Sequence, residues 1–383
     1  MEKVDKIKVI HFGLSLNRGG IETYLHKVAS NINKKDFSFS FINSTSSKPC
    51  FYEELRKMGC AFYNVTPRRK SVWRNKQDLD QLFRENDFDV LHFHVNTLSY
   101  IDPVLVALKY GVKVVVHSRN AGAAGSRLTQ LLHRINKARI NRLKNEITKV
   151  AVSELAGEWL FGQNTDFAIY NNGIDLEKFR FLPNERDQIR NELNIGKNTF
   201  LLGNVGAFVP AKNQEFAVQV LHKVLESGVD AKLVLIGDGA LKKKVIDFAE
   251  RLNLSDKVLF LGKREDMPSM FSALDVFLFP SHYEGFPNAV LEAQACGLPA
   301  LISDAITKEV VVDVENCKQL PIASCDYGKW AVNAVDILES RVNDIEVKDQ
   351  ERVKSWEKIE VAGFSIKEEI IKLETLYKKV INS

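Results

Sequence analysis

The stretch VFLFPSHYEGFPNAVLEAQACGLPALISD, residues 276–304, contains a strand, a helix and a second strand in one continuous run. Its first apolar segment ends at VFLFPS, a helix is expected over about 287–295, and a second apolar segment follows in PALISD. Short apolar strands separated by a helix are typical of βαβ units, whose parallel sheets are covered on both faces. The stretch therefore predicts an α/β fold.

The same alternation continues on both sides and falls into two series. The first half contains KVIHFG, SFSFIN, DVLHFH and VKVVVH, and the second half contains TFLLGNVGAF, AKLVLIGDG and KVLFLG. Between them, residues 170–188 combine Asn-Asn-Gly with charge and a proline, as linkers do. Because 383 residues exceed one ordinary core, we predict two doubly wound, Rossmann-like domains, 1–178 and 179–363, that face a central cleft.

Composition excludes several classes of protein. The net charge of +4 is too small to indicate nucleic-acid binding, and five cysteines without paired spacing favour reduced thiols over disulfides or zinc. No apolar run approaches the roughly 18 residues that span a bilayer, and the first residues lead directly into a strand pattern. We expect a cytoplasmic protein.

Ligands of open parallel sheets bind beyond the carboxyl ends of the strands, so the residues that follow each strand are the candidates for a site. Gly19 and Gly20 precede a helix and could approach a phosphate, although an ordinary loop fits as well. His117 follows VKVVV, with His92 and His94 on a neighbouring strand. A structural role is the alternative for all three histidines, and without a carboxylate cluster we predict no metal site.

In the second half, GNVGAFVPAKN places Gly206 in a turn and Lys212 near the start of the next helix. A lysine and free backbone amides at one helix start can bind the same diphosphate. The alternative is a solvated surface lysine. Glu284 and Glu292 then flank a helix entry, where a carboxylate can accept hydrogen bonds from hydroxyl groups. The entry itself consists of Gly285, Phe286, Pro287 and Asn288.

The order and spacing of eight segments along the chain make a specific pattern. They are NRGGIET, VVVHSRN, AVSELAGEWLFG, YNNGIDLEKF, GNVGAFVPAKN, LVLIGDG, FLGKREDMP and the segment with Glu284 and Glu292. The chain resembles glycosyltransferase family 4, especially the bacterial capsule and exopolysaccharide enzymes. The resemblance implies the GT-B fold, in which the terminal helix, here 364–383, crosses back to the first domain. It also implies acceptor binding by the first domain and nucleotide-sugar binding by the second.

In such enzymes a sugar nucleotide, for which UDP is favoured, is the co-substrate and no further cofactor is needed. The resemblance implies that Glu292 binds the ribose, Lys212 the diphosphate and the segment near Arg264 the base. Residues 285–288 would hold the donor through their backbone.

The resemblance further implies that His117 and Glu284 contact the transferred sugar, while Gly19 and Gly20 approach the phosphates. Transfer would retain the anomeric configuration by front-face attack, independently of metal. Protein cations and helix dipoles would replace the ion that steadies the leaving diphosphate.

One position departs from the family pattern G-R-x-x-x-x-K, because Ala207 stands where the arginine is usual. Arg119 and Arg264 are candidate substitutes for the missing cation. The alternatives are a slow enzyme, a non-catalytic relative acting as a binding subunit, or a sugar-nucleotide 2-epimerase, which shares the architecture. A metal-dependent GT-A transferase would need an Asp-x-Asp motif after a strand, and this sequence does not place one there.

Residues 127–144 combine apolar residues at helical spacing with interleaved arginine and lysine, and residues 68–76 add further basic residues. This pattern fits an anionic membrane surface, and an ordinary solvated helix is the equal alternative. If it binds a membrane, the protein attaches peripherally to the inner face, and the acceptor is a lipid-diphosphate-linked saccharide.

Overall fold

The computed structural model describes residues 6–122, 125–143, 145–342 and 345–382. Three ends of the ranges predicted from sequence lie outside the described residues: Met1 of 1–178, Lys144 of 127–144 and Ser383 of 364–383. The chain divides into two compact units. The first comprises Met1–Asn172 with Ile366–Ser383, and the second comprises Gly173–Ser365.

The first unit has a parallel sheet in the order β3-β2-β1-β4-β5-β6-β7. The strands are β1 Ile7–Phe12, β2 Phe37–Asn43, β3 Ala61–Asn64, β4 Val90–Val95, β5 Lys113–Ser118, β6 Ile147–Ala151 and β7 Ala168–Ile169. The helices between them are α1 Gly20–Asn31, α2 Tyr52–Lys57, α3 Val72–Glu85, α4 Asp102–Lys109, α5 Arg127–Arg142 and α6 Glu154–Phe161.

The second unit has a parallel sheet in the order β10-β9-β8-β11-β12-β13. Its strands are β8 Phe200–Val205, β9 Ala231–Ile236, β10 Val258–Gly262, β11 Val276–Phe279, β12 Ala300–Ser303 and β13 Cys317–Leu320. Its helices are α7 Pro183–Glu192, α8 Gln214–Glu226, α9 Lys242–Arg251, α10 Met267–Ala273, α11 Asn288–Ala295, α12 Tyr327–Val342, α13 Ile345–Val353 and α14 Ser355–Val361. The prediction of two doubly wound domains is confirmed.

In each sheet the first strand of the unit lies beside its fourth, so the strand order reverses between β1 and β4 and between β8 and β11. The register pairs Ile10 with Leu91 in the first unit and Leu202 with Val276 in the second. Crossovers on the two sides of a reversal leave a crevice beyond the strand ends. Each unit therefore has one preferred position for a ligand.

The last helix, α15 Ile366–Ile381, completes the core of the first unit. All six apolar residues that the sequence places at helical spacing are buried: Ile366, Ile370, Leu373, Leu376, Tyr377 and Val380. They pack with β1, β2 and α1 on one face of the sheet. Without this helix, that face would be exposed to water.

The predicted linker includes the start of a helix. Within α7, Arg186 and Arg190 donate hydrogen bonds to the carboxylate of Asp275, at 2.6 and 3.0 Å. Asp275 is buried and also accepts from the backbone N–H of Leu201 at 2.8 Å. A buried carboxylate needs such partners, so α7 belongs structurally to the second unit.

Candidate functional site

The reversal point of the second unit brings together two residues that the sequence selected. Lys212 lies after β8, Glu284 lies after β11, and Lys212 Nζ donates a hydrogen bond to Glu284 Oε1 at 2.6 Å. Both side chains are mostly shielded, with 22% and 16% of their surfaces exposed. The two loops are also joined by a backbone bond from His282 N–H to the carbonyl of Ala211, at 2.8 Å.

Gly206 determines where the lysine lies. A Cβ at Gly206 would approach three carbons of the Lys212 side chain at 3.1 to 3.3 Å, so the stem of the lysine crosses directly over the glycine. Its ammonium lies 4.8 Å from the centre of the Phe279 ring, a favourable cation–π distance. The lysine is thereby held at the strand edge, one residue from the left-handed Asn213 that precedes α8.

Two further glycines hold the β8 loop in place, and the sequence reading did not single them out. A Cβ at Gly237 would lie 2.0 Å from the carbonyl oxygen of Gly206, and one at Gly239 would lie 2.6 Å from that of Phe208. Both glycines also have a positive φ, a backbone conformation that residues with a side chain rarely adopt. Only glycine permits this contact between the loops after β8 and β9.

The helix entry after β11, residues 285–287, is buried. Pro287 precedes α11, no side chain caps the helix, and the positive end of the helix dipole lies at this entry. Phe286 is buried and stacks on Phe364 at 5.6 Å, while Glu292 is half-buried in the second turn of the helix. Ser281, also missed from sequence, has a buried hydroxyl without a hydrogen-bond partner among the described residues.

Arg264 is bound by neighbouring carboxylates, whereas Ala207 faces solvent. The guanidinium of Arg264 is held by Asp266 at 2.6 and 2.8 Å and by Glu192 at 2.8 Å. The hydrogen bonds that Arg264 donates to these carboxylates, Asp266 foremost, raise its pKa. Ala207 is exposed. Arg264 is therefore already neutralised as a substitute cation, while position 207 has space for a long side chain.

At the reversal point of the first unit, α1 begins at Gly20 without a side-chain cap. A carboxylate already lies beside this entry, because Glu22 is buried and accepts a hydrogen bond from Ser15 N–H at 3.1 Å. A Cβ at Gly19 would lie 2.8 Å from the second oxygen of Glu22. Glu22 thus packs directly against Gly19, and a phosphate near this loop would meet a negative charge.

His117 lies inside a buried network. Its Nδ1 is 3.0 Å from His92 Nε2, its Nε2 is 3.2 Å from Arg119 Nη1, and His92 Nδ1 is 2.7 Å from the hydroxyl of Tyr377. Burial, and then the charge of Arg119, lower the pKa of His117 well below its usual value, so the ring is neutral. Both its nitrogens are already engaged, which leaves neither free for a sugar hydroxyl.

Three histidines of this network lie close enough to hold a metal ion: His11, His92 and His94. His11 Nδ1 and His94 Nε2 are 3.2 Å apart, and the other nitrogen of each ring is buried without a partner among the described residues. Burial lowers the pKa of His11 to about 3. In contrast, both ring nitrogens of His92 are hydrogen-bonded, to Tyr377 and His117. The group of three histidines includes no carboxylate among the described residues. This donor set is poor for a dication beside Arg119.

The two Rossmann-like units define a GT-B fold. Solved structures with this fold include HepE of Anabaena in complex with UDP and glucose, with a TM-score of 0.76, 17% identity and coverage of 97% of this chain and 100% of that one. A glycosyltransferase of Rickettsia africae has a TM-score of 0.81 at 14% identity, with coverage of 99% and 100%.

The family follows from sequence. The Glycosyltransferase Family 4 model matches residues 18–178, and the model Glycosyl transferases group 1 matches residues 185–341. The putative glycosyltransferase EpsF of Bacillus subtilis is 33% identical over 79% of this chain and 80% of its own length. An Escherichia coli enzyme named UDP-Gal:alpha-D-GlcNAc-diphosphoundecaprenol alpha-1,3-galactosyltransferase is 25% identical over 97% of both chains. The chain belongs to glycosyltransferase family 4.

Proposed function

We propose that this glycosyltransferase moves a sugar from a UDP-sugar to a saccharide or lipid-diphosphate-linked saccharide, with retention, in bacterial surface polysaccharide synthesis. The observation that carries the proposal is the Lys212–Glu284 pair at the reversal point of the second unit, 2.6 Å apart and above Gly206. The similar proteins support the same substrate classes, since the Escherichia coli enzyme is named for UDP-Gal and a diphosphoundecaprenol-linked acceptor, and HepE is in complex with UDP and glucose.

The pair combines the two charges that the reaction needs. A donor diphosphate attracts the ammonium of Lys212, and Glu284 is then released to accept a hydrogen bond from a hydroxyl of the sugar. The starts of α8 and α11, which are the positive ends of the two helix dipoles, add attraction for the developing negative charge on the leaving diphosphate. The acceptor then attacks from the face that the diphosphate leaves, and no metal ion is required.

The first test is a calorimetric titration of the full chain with UDP, GDP and ADP, with and without Mg²⁺, followed by the matching sugar nucleotides. Selective binding of UDP that is unchanged by Mg²⁺ supports the proposal. Binding of none of the three would contradict it and favour the second candidate, a binding subunit without turnover. The observation in favour of that candidate is Ala207, which leaves this loop without its usual cation.

Glu292→Ala is expected to weaken UDP binding. Loss of a carboxylate that accepts from the ribose costs about 2 kcal/mol, roughly thirtyfold in Kd, because hydrogen bonds to charged groups are worth about 1.5–3 kcal/mol. Calorimetry measures the change, with Glu226→Ala as the control, since that glutamate is on the exposed surface of the same unit. Parent-like affinity in Glu292→Ala would show that the ribose lies elsewhere.

We also propose that α5 attaches the protein to an anionic membrane surface. The helix docks on its own unit through polar side chains, since His133 accepts from Leu98 N–H at 3.0 Å and Asn136 donates to the Leu98 carbonyl at 2.7 Å. Ile140 at its far end is buried in the core, but three other large apolar side chains face outward. The exposed ones are Leu128, Leu131 and Ile135, at 64%, 54% and 50%.

Basic residues surround this outward apolar face. Arg127, Arg134, Arg139 and Arg142 are exposed on the same helix, and an exposed Trp73 on α3 lies among the basic residues of 68–76. Outward leucines ringed by arginines are typical of helices that bind at lipid headgroups. Among the described residues, no helix combines the length and apolar character needed to cross a bilayer. Attachment would therefore be peripheral.

The double change Leu131→Asp and Ile135→Asp is expected to lower the affinity for anionic vesicles at least tenfold. Each substitution removes an apolar contact and adds charge that the lipid repels. Vesicle co-sedimentation with phosphatidylglycerol-containing liposomes measures the effect. Ile371→Asp, which alters an equally exposed isoleucine on α15, is the control and should bind like the parent. Equal losses in both variants would contradict a specific role for α5.

A further inference from the structure

The carboxyl end of β5 carries a buried cation that forms no ion pair within the described residues. Arg119 is 9% exposed, donates from Nη2 to the Asn172 side-chain oxygen at 2.9 Å, and lies 3.7 Å from the centre of the Tyr24 ring. Its third contact is the neutral ring of His117. Within the described part of the chain, no carboxylate forms an ion pair with Arg119. Glu369, whose charge acts on it, is held by Lys27 at 2.8 Å.

The hydrogen bonds behind Arg119 all run in one direction. A guanidinium can only donate, so His117 Nε2 accepts and the proton of this ring is on Nδ1. That proton is donated to His92 Nε2 at 3.0 Å, which places the proton of His92 on its own Nδ1. His92 in turn donates to the hydroxyl of Tyr377 at 2.7 Å. Three buried hydrogen bonds therefore fix the orientation of Arg119 from inside the sheet.

A buried charge is costly unless it is paired, and here the contacting side chains, those of Asn172, Tyr24 and His117, are neutral. The charge of Glu369 acts on Arg119, but that carboxylate is paired with Lys27. The missing partner is best supplied by a ligand, because this arginine follows a strand at the edge where parallel sheets bind ligands. A guanidinium matches two oxygens of a phosphate at once. The first unit also contains α5, the surface proposed to meet lipid headgroups, where a lipid-linked acceptor would present its diphosphate.

We propose, resting on the proposed function, that Arg119 binds a phosphate group of the acceptor and that His117, His92 and Tyr377 are its positioning residues. His117 then acts through Arg119, rather than on the transferred sugar as the family resemblance implies. Its two engaged ring nitrogens agree with this role.

The first experiment titrates inorganic pyrophosphate into the full chain saturated with UDP. The nucleotide fills the proposed diphosphate site of the second unit, so remaining pyrophosphate binding reports the first unit. We expect one such site, weakened at least tenfold in Arg119→Gln, weakened less in Arg119→Lys, and unchanged in Arg56→Gln, which alters an exposed arginine. Equal binding in the parent and Arg119→Gln, or no remaining binding, would overturn the proposal.

If UDP itself does not bind, the proposed function fails, and the comparison of parent and Arg119→Gln with pyrophosphate alone still decides the role of Arg119. Thermal unfolding of each variant shows whether it is folded. Competition between UDP and pyrophosphate for the same Arg119-dependent site would assign the arginine to the donor and overturn the acceptor assignment.

A second experiment needs no variant of Arg119. Histidine ¹⁵N NMR of the unaltered protein should show the proton on Nδ1 of both His117 and His92, and added pyrophosphate should shift the Nε2 signal of His117. Tyr377→Phe should weaken pyrophosphate binding a few-fold, while Tyr100→Phe should not, although it also removes a buried hydroxyl bond, to Asn75 at 2.6 Å. A proton on Nε2 of either ring, or identical behaviour of the two tyrosine variants, would contradict the positioning role.

Discussion

Lys212→Ala is expected to lower kcat by roughly 10³-fold, because loss of one preorganised group that stabilises a developing anion costs about 10²–10³-fold. The loss should fall on turnover more than on binding, since the lysine gains its strongest interaction as the diphosphate leaves. The structure sharpens this expectation. Lys212 is held at the strand edge by Gly206, Phe279 and Glu284, so little reorganisation is needed when the donor arrives.

Release of UDP from the sugar nucleotide, with and without acceptor, measures the effect, and calorimetry with UDP separates binding from turnover. Lys244→Ala is the matched control, because Lys244 forms a 3.0 Å ion pair with Glu215 on the surface of the same unit. It should react like the parent. If Lys212→Ala retained parent turnover, the leaving diphosphate would not be stabilised at this loop.

Ala207→Arg is expected to raise donor hydrolysis about a hundredfold, which corresponds to the ~3 kcal/mol that one added cation can supply to a leaving diphosphate. The side chain at 207 is exposed, so an arginine enters without displacing packed atoms. The other candidate of the second unit, Arg264, cannot easily perform this task, because Asp266 and Glu192 already bind its guanidinium.

The control for this gain is Val209→Arg, which adds the same charge at an exposed position two residues along the loop. Unchanged hydrolysis in Val209→Arg alongside the gain in Ala207→Arg would locate the effect at the diphosphate. No gain in Ala207→Arg would mean that the missing arginine does not limit this enzyme, or that turnover has been lost for another reason.

Local structure was largely predictable from the sequence. The helix expected over about 287–295 spans Asn288–Ala295, and the glutamate segment forms the expected strand, loop and helix. Hydrophobic spacing and turn residues suffice for such elements, because both are encoded within a few residues. The pairing of Lys212 with Glu284 was also within reach, since both follow strands of one parallel sheet.

Contacts between distant segments were not predictable. The bond between His92 and Tyr377 joins residues 285 positions apart, and the approach of Gly237 to Gly206 depends on β9 lying beside β8. Alternation of strands and helices does not fix strand order. On α5 the sequence left two interpretations equal, because spacing alone does not reveal that His133, Asn136 and Ile140 dock the helix while Leu128 and Leu131 remain exposed.

The burial of α15 in the first unit also has a consequence for synthesis on the ribosome. Residues 173–365 emerge as one continuous piece and can fold as soon as they leave the exit tunnel, because domains generally fold as units during translation. The sheet of the first unit is translated earlier, yet one of its apolar faces is only partly covered, by α1 and α2, until residues 366–381 arrive. The second unit can therefore finish folding before the first unit does. Until then, the first unit of the nascent chain needs protection from aggregation.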